Sequence, residues 1–145
     1  FRRVLFRSSS PMTEYQDRQD ISDVLIRYAS GIDGRDWALF RTVFTADCDV
    51  DYGDIGHWRS VEEITDFMDR AHAMAGHTLH RVTNIAVTVE GDRAAARAYV
   101  DALILAQDNA TGVQAAGFYD DELVRTDAGW RIARRRFTTV RVVPV

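Results

Sequence analysis

Five side chains able to move a proton or hold an oxygen interrupt stretches of this sequence that are otherwise apolar. Tyr28 sets a phenol within the series Ile21, Val24, Leu25, Tyr28 and Ile32, and Asp33 sets a carboxylate at its margin, between Gly31 and Gly34. Tyr52 shares the parity of Cys48 and Val50, and His80 that of Val82, Asn84 and Ala86. Asp101 breaks the run Tyr99, Val100, Ala102, Leu103, Ile104 and Leu105, where a carboxylate must be partnered or functional. An imidazole, two carboxylates and two phenols are the groups of general acid-base chemistry. A histidine standing alone in such a pattern is ordinarily a core residue satisfied by hydrogen bonds, but His80 does not stand alone.

Other chemistries are excluded or disfavoured. All 18 basic residues are arginine, which rules out a Schiff base and a phosphate-loop lysine. Cys48 is the single cysteine, so there is no intrachain disulfide and no thiolate cage, and a reducing cytoplasm is the expected compartment. His77 and His80, three apart on a strand, face opposite ways and do not share a metal ion unless a bulge intervenes. Asp47, Asp49 and Asp51 alternate without the loop geometry of a cation site and read as a solvated face. No metal and no cofactor is therefore expected. A net charge of −4 argues against nucleic acid or an anionic membrane as partner, and no apolar run approaches the roughly 20 residues of a membrane span.

The elements that must position these groups follow from periodicity. The apolar stripe predicts a helix from about Asp17 to Asp33, with its acidic first turn suited to the helix dipole. Asp36 caps a short second helix carrying Trp37, Leu39, Phe40 and Phe44. Residues 47–52 alternate as a half-buried strand, with Tyr52 inward. Ser60-Val-Glu-Glu63 is a capping box that opens a third helix through Ala71, stopped by Gly76. The period then changes to two, and turn residues divide the remainder into strands over 77–89, 93–107, 113–125 and 130–143. Helices followed by a meander of long strands predict an α+β fold: three N-terminal helices packed into a strongly curved antiparallel sheet, a cone. In the last strand Arg134 and Arg136 share a face with Trp130 and Ile132, while Arg131 and Arg135 face the other way. An arginine turned inward opposite Asp33 or Asp101 would be a charge partner or a substrate clamp. The opening FRRVLFRSSSP, ahead of Met12, reads as a non-native leader over 1–11, leaving 12–145 as a single domain.

The spacing of Arg27-Tyr28-Ala-Ser-Gly-Ile-Asp33, Asp36-Trp37, Phe44, Gly76-His-Thr-Leu-His80-Arg-Val-Thr-Asn84 and Gly129-Trp-Arg-Ile132 resembles the SnoaL-like branch of the nuclear transport factor 2-like superfamily over essentially 12–145. Within it the chain is similar to scytalone dehydratase, bile-acid 7α-dehydratase and the lindane dehydrochlorinase, which work without cofactor from an Asp-His pair. The resemblance implies Asp33 and His80 as that pair, with Tyr28 and Tyr52 as the helix and strand tyrosines. It implies Asp101 as an acidic pocket residue and Arg136 as an inward arginine, with Arg134 or Arg135 in its place if the register steps or bulges. Tyr28 stands where the dehydrochlorinase has a lysine, which counts against that particular reaction.

The function expected is a cofactor-independent lyase or isomerase, dehydratase- or cyclase-like. It would act on a hydrophobic oxygenated ring such as a steroid, polyketide or aromatic intermediate. His80 is the expected base, Asp33 its orienter and Tyr28 a hydrogen-bond donor, with Trp37, Phe67 and Phe118 shaping the pocket around Tyr52. Two other readings stand beside it: a non-catalytic small subunit of a ring-hydroxylating dioxygenase, or a ligand-binding or dimerisation module. Val140, Val142 and Val143 on the outer sheet face predict a homodimer or homotrimer.

Overall fold

The computed structural model describes residues 11–145. The apolar stripe becomes the buried side of helix α1 (Pro11–Asp33), with Ile21, Val24, Leu25, Tyr28 and Ile32 all buried. The helix starts at Pro11 rather than near Asp17; proline suits a first helical position because it has no N–H to leave unpaired and its φ is already helical. The leader reading thus falls largely on residues 1–10, outside the described residues, while Pro11 belongs to α1. Asp17 is buried instead of lying in a solvated first turn. Its carboxylate accepts two hydrogen bonds from the Arg125 guanidinium (2.8 and 2.9 Å) and one from Trp130 Nε1 (3.2 Å).

Asp36 caps α2 (Trp37–Arg41), accepting from the Leu39 N–H at 3.0 Å. Gly31 lets α2 lie directly on α1, since a Cβ there would sit 3.1 Å from the Phe40 backbone. Phe44, expected on the short helix, opens strand β1 (Phe44–Asp51). A 3-10 turn (Gly53–Ile55) and the two-residue β2 (His57–Trp58) occupy what reads as a plain turn. In α3 (Val61–Ala73) the Ser60 hydroxyl accepts from the Glu63 N–H at 3.1 Å, and Glu63 reaches back to the Arg59 N–H at 2.8 Å. The four long strands are β3 (Ala75–Glu90), β4 (Arg93–Ala106), β5 (Gly112–Thr126) and β6 (Gly129–Pro144).

The sheet order is β2-β1-β6-β5-β4-β3. The expected all-antiparallel sheet needs one correction, because β1 runs parallel to β6. Turn chemistry predicts pairing only between neighbours in the chain, and β1 is separated from β6 by α3 and four strands. The architecture is otherwise the α+β cone: α1 packs chiefly against β3 and also β6, α3 packs chiefly against β1, and the inward alanines of β4 (Ala94, Ala96, Ala98, Ala102) are buried in the shared core.

Bulges curve the sheet and reset which residues face inward. On β3 the register shifts between Thr83 and Ala86, with Asn84 at φ 51°, so His80 and Val82 face in and are followed by Ile85, Val87 and Val89. Asn84 and Ala86, expected on the His80 face, are exposed. On β6 an unpaired Ala133 moves the inward set from Trp130 and Ile132 to Arg135, leaving Arg134 and Arg136 exposed. A second irregularity at Val140 places Val142 beside cavity-lining Ala115, so Val140, Val142 and Val143 do not share the outer face.

The contact of Asp17 with Arg125 and Trp130 ties the N-terminal half of α1 to the β5–β6 hairpin. The Arg125 hydrogen bonds pull the Asp17 carboxyl below its usual value. Asp17→Asn is expected to cost about 2 kcal/mol at pH 7, the scale of a hydrogen bond to a charged group. A depressed carboxyl stabilises the fold fully above the unfolded value of about 3.9, and that contribution is lost as pH falls through the lower folded value. Denaturant titrations should therefore show the wild-type advantage over Asp17→Asn fading below about pH 4; an advantage that stays constant from pH 7 to 3 would contradict this role.

Candidate active site

Asp33 closes α1 at the point where β3 passes, and its carboxylate is held by three groups of that strand. Oδ1 accepts from His80 Nδ1 (2.7 Å) and the Thr78 hydroxyl (2.8 Å), and Oδ2 accepts from the His80 backbone N–H (2.8 Å). Burial pushes the Asp33 carboxyl up, but the hydrogen bonds from the His80 ring and backbone outweigh it and hold it below the ordinary carboxylate range. A carboxylate only accepts, so Nδ1 of His80 carries a proton, and in the neutral ring the lone pair is on Nε2. Arg35, at φ 52°, braces the arrangement from outside. Its guanidinium donates to the Ile32 carbonyl (2.8 Å), the Gly76 carbonyl (2.6 Å) and the Thr78 hydroxyl (2.8 Å).

His80 opens onto a cavity of about 280 Å³ inside the cone, with Phe67, Met68, Val100, Ile104 and Phe137 among its apolar walls. Across it, the hydroxyls of Tyr28 and Tyr52 are 2.6 Å apart. Burial pushes both phenols up, so both stay protonated at neutral pH. In such a pair one hydroxyl donates to the other, and the acceptor keeps a proton that it can give to a third oxygen. Tyr119 also lines the cavity and meets Tyr28 edge-on, with ring centres 5.7 Å apart.

Behind the tyrosines lies a fully buried ion pair. Arg135 Nε and Nη2 meet the Asp121 carboxylate at 2.7 and 2.8 Å, and neither side chain has any exposure. Burial pushes the Asp121 carboxyl above its usual value against the opposing pull of Arg135, while the Asp121 contact outweighs burial for the guanidinium and holds Arg135 charged. The guanidinium stacks 3.8 Å from the Tyr119 ring centre and 4.4 Å from that of Tyr28, and its Nη1 has no hydrogen-bond partner among the described residues.

The predicted site residues divide between two faces. Tyr28, Tyr52, Phe67 and His80 line the cavity, and Asp33 stands directly behind His80. Trp37 lies one layer back, against Phe40 and His72 (ring centres 5.5 and 6.0 Å). Asp101 is not a pocket acid: it projects from the outer face to Arg81 (3.2 Å) and Gln114 (2.9 Å), because the alternation of β4 turns Val100 and Ala102 inward. Phe118 is likewise outside, under the Arg97 guanidinium, and its neighbour Tyr119 takes the inner position. Arg136 lies on the outer face beside Asp120, and the Ala133 bulge makes Arg135 the inward arginine. Asp121, Tyr119, Thr78, Arg35 and His72 are site residues that sequence reading misses. Asp121 alone carried a signal, a carboxylate in the inward phase of Tyr119 and Leu123. The other large concavity, about 690 Å³, lies on the outer face, where Arg97 is paired with Asp120 and His57 with Asp49; it is remote from the Asp33–His80 pair. No cluster of three or more potential metal ligands occurs among the described residues, and no helix there is long and apolar enough to cross a membrane.

These features have relatives. The SnoaL-like domain model matches residues 13–136. The uncharacterized protein Rv2910c of Mycobacterium tuberculosis is 33% identical over 134 residues, covering 91% of each chain. Among solved structures, a candidate aromatic ring hydroxylase from Novosphingobium aromaticivorans is 31% identical with a TM-score of 0.81, covering 94% of this chain and 96% of that one. At 20% identity, a candidate scytalone dehydratase from the same organism (TM-score 0.85, 92% and 91% covered) and a type 2 hexachlorocyclohexane dehydrochlorinase, LinA (0.85, 94% and 93%), share the fold. With the family model spanning most of its length and the cone built as described, the chain belongs to the SnoaL-like domain family, within the nuclear transport factor 2-like fold.

Proposed function

We propose that this chain is a cofactor-independent lyase or isomerase acting on a hydrophobic oxygenated ring, with His80 as general base. One observation carries the reading: the Asp33 carboxylate holds His80 Nδ1 at 2.7 Å, so the neutral ring has its lone pair on Nε2, and His80 lines an apolar cavity. In the reaction, His80 Nε2 takes a proton from a carbon next to a carbonyl, and the electron pair of that C–H bond moves into an enolate. Asp33 stabilises the imidazolium formed. The remaining hydroxyl proton of the Tyr28–Tyr52 pair meets the enolate oxygen in a mostly apolar site. The enolate then either expels a leaving group from the next carbon, completing an elimination, or regains the proton at another carbon, completing an isomerisation. Arg135 and Asp121 do not touch substrate; they hold Tyr28 and Tyr119 from behind. The dehydratase and dehydrochlorinase among the structural neighbours are, by name, elimination catalysts.

A second reading has an observation in its favour. The solved structure at 31% identity is named as a candidate aromatic ring hydroxylase, which suits the non-catalytic small subunit of a ring-hydroxylating dioxygenase. Co-purification with a large iron-sulfur subunit would support it, and turnover by the isolated chain would exclude it.

Self-association is also proposed. The outer face bears Leu79, Leu103 and Val143 in one cross-strand row and Tyr99 and Phe118 in another, with Leu79 and Tyr99 about half exposed. Such a surface supports a homodimer or homotrimer. Light scattering at micromolar concentration is expected to give a multiple of 16.4 kDa, and a monomer mass would refute the proposal.

The base assignment is tested by substitution. His80→Ala should lower kcat by ~10²–10⁴ with the melting temperature close to wild type. Asp33→Asn should do comparable damage by releasing the imidazole to the wrong tautomer. If the pair is only structural, His80→Ala will instead melt early, costing roughly 1–3 kcal/mol, while folded molecules keep their activity.

A further inference from the structure

His72 takes no part in the chemistry described above, yet its ring lines the same cavity as His80, with ring centres 6.5 Å apart. It sits in the last turn of α3, where Nδ1 lies 2.7 Å from the Met68 carbonyl oxygen. A carbonyl can only accept, so Nδ1 carries the proton and the neutral ring presents Nε2 as an acceptor. Nothing among the described residues is hydrogen-bonded to that Nε2. Burial, reinforced by the nearby charge of Arg35, holds the imidazole below its usual value, so His72 is neutral at pH 7 and serves as an acceptor rather than an acid. Trp37 packs beside the ring, and its neighbours on the cavity wall, Met68, Ala71 and Ala75, offer no competing side-chain acceptor.

The cavity thus holds a proton donor for an oxygen at Tyr28 and Tyr52, a base at His80, and a separate acceptor at His72. We propose that His72 is a specificity-determining residue whose Nε2 accepts a hydrogen bond from a ligand hydroxyl, so that the substrate is a hydroxylated ring ketone. Because an unprotonated Nε2 cannot protonate a departing group, this hydroxyl is one the reaction keeps. The inference rests on His80 being the base, but its test reads binding and needs no turnover.

The probes are 2-naphthol and 2-methoxynaphthalene, matched bicyclic rings that differ in the hydrogen-bond donor. The wild-type protein should bind 2-naphthol about tenfold more tightly, the scale of one hydrogen bond to a neutral partner. The ¹⁵N resonance of His72 Nε2 should shift as the naphthol is added. In His72→Phe, which keeps the ring, the two probes should bind equally; in His72→Gln, which restores an acceptor, part of the preference should return. Should the Phe variant not fold, the Gln variant and the wild-type resonance still decide the matter. Equal wild-type affinities, an undiminished preference in His72→Phe, or a shift confined to His80 Nε2 would each overturn the proposal while leaving His80 as the base. Failure of the base assignment would appear separately, in the kcat of His80→Ala, without altering the ratio of probe affinities.

Discussion

The Asp33 carboxylate is the joint on which the arrangement depends. It ends a 23-residue helix and takes three hydrogen bonds from Thr78 and His80, so the same contact that docks α1 onto β3 also sets the tautomer of the imidazole. A carboxylate at this depth is costly unless satisfied, and here its acceptor capacity is used by one short stretch of strand. Fold and site are therefore coupled: loosening the end of α1 would both release the strand and free the ring to turn.

The interior beyond that joint is itself polar. Three phenols, a guanidinium and a carboxylate are buried together, and the Arg135–Asp121 pair gains little net stability, since desolvation offsets much of its attraction. What the pair supplies is placement. The guanidinium stacks against two of the aromatic rings that wall the cavity, and the bidentate contact fixes it there. The inward residues of β4 are mostly alanines, so bulk is concentrated on β5, β6 and the helices, where the cavity wall is aromatic.

Curvature is the third ingredient, and it comes from single residues. The extra residues at Asn84, Ala133 and Val140 each bend a strand and reverse the face of everything beyond them. One such step separates an outer-face Arg136 from a buried Arg135. The site is thus defined as much by where strands slip register as by which side chains they carry.

Much of this was legible in the residues themselves. The stripe from Ile21 to Ile32 predicted α1, Ser60 and Glu63 predicted the start of α3, and period-two segments separated by turn residues predicted four long strands, because these signals are local and each is carried by a few neighbouring side chains. Asp33, His80, Tyr28 and Tyr52 stood out because polar groups on apolar faces are costly wherever the chain places them. Only the tertiary structure decided which arginine turns inward, that Asp101 and Phe118 face outward while Tyr119 and Asp121 face in, that β1 lies parallel to β6, and that His72 reaches the cavity from another element. These outcomes depend on bulge positions and on pairings between residues far apart in the chain. A one-residue slip changes little locally in propensity or turn chemistry and yet exchanges inside for outside, so it is settled by the packing of the whole cone.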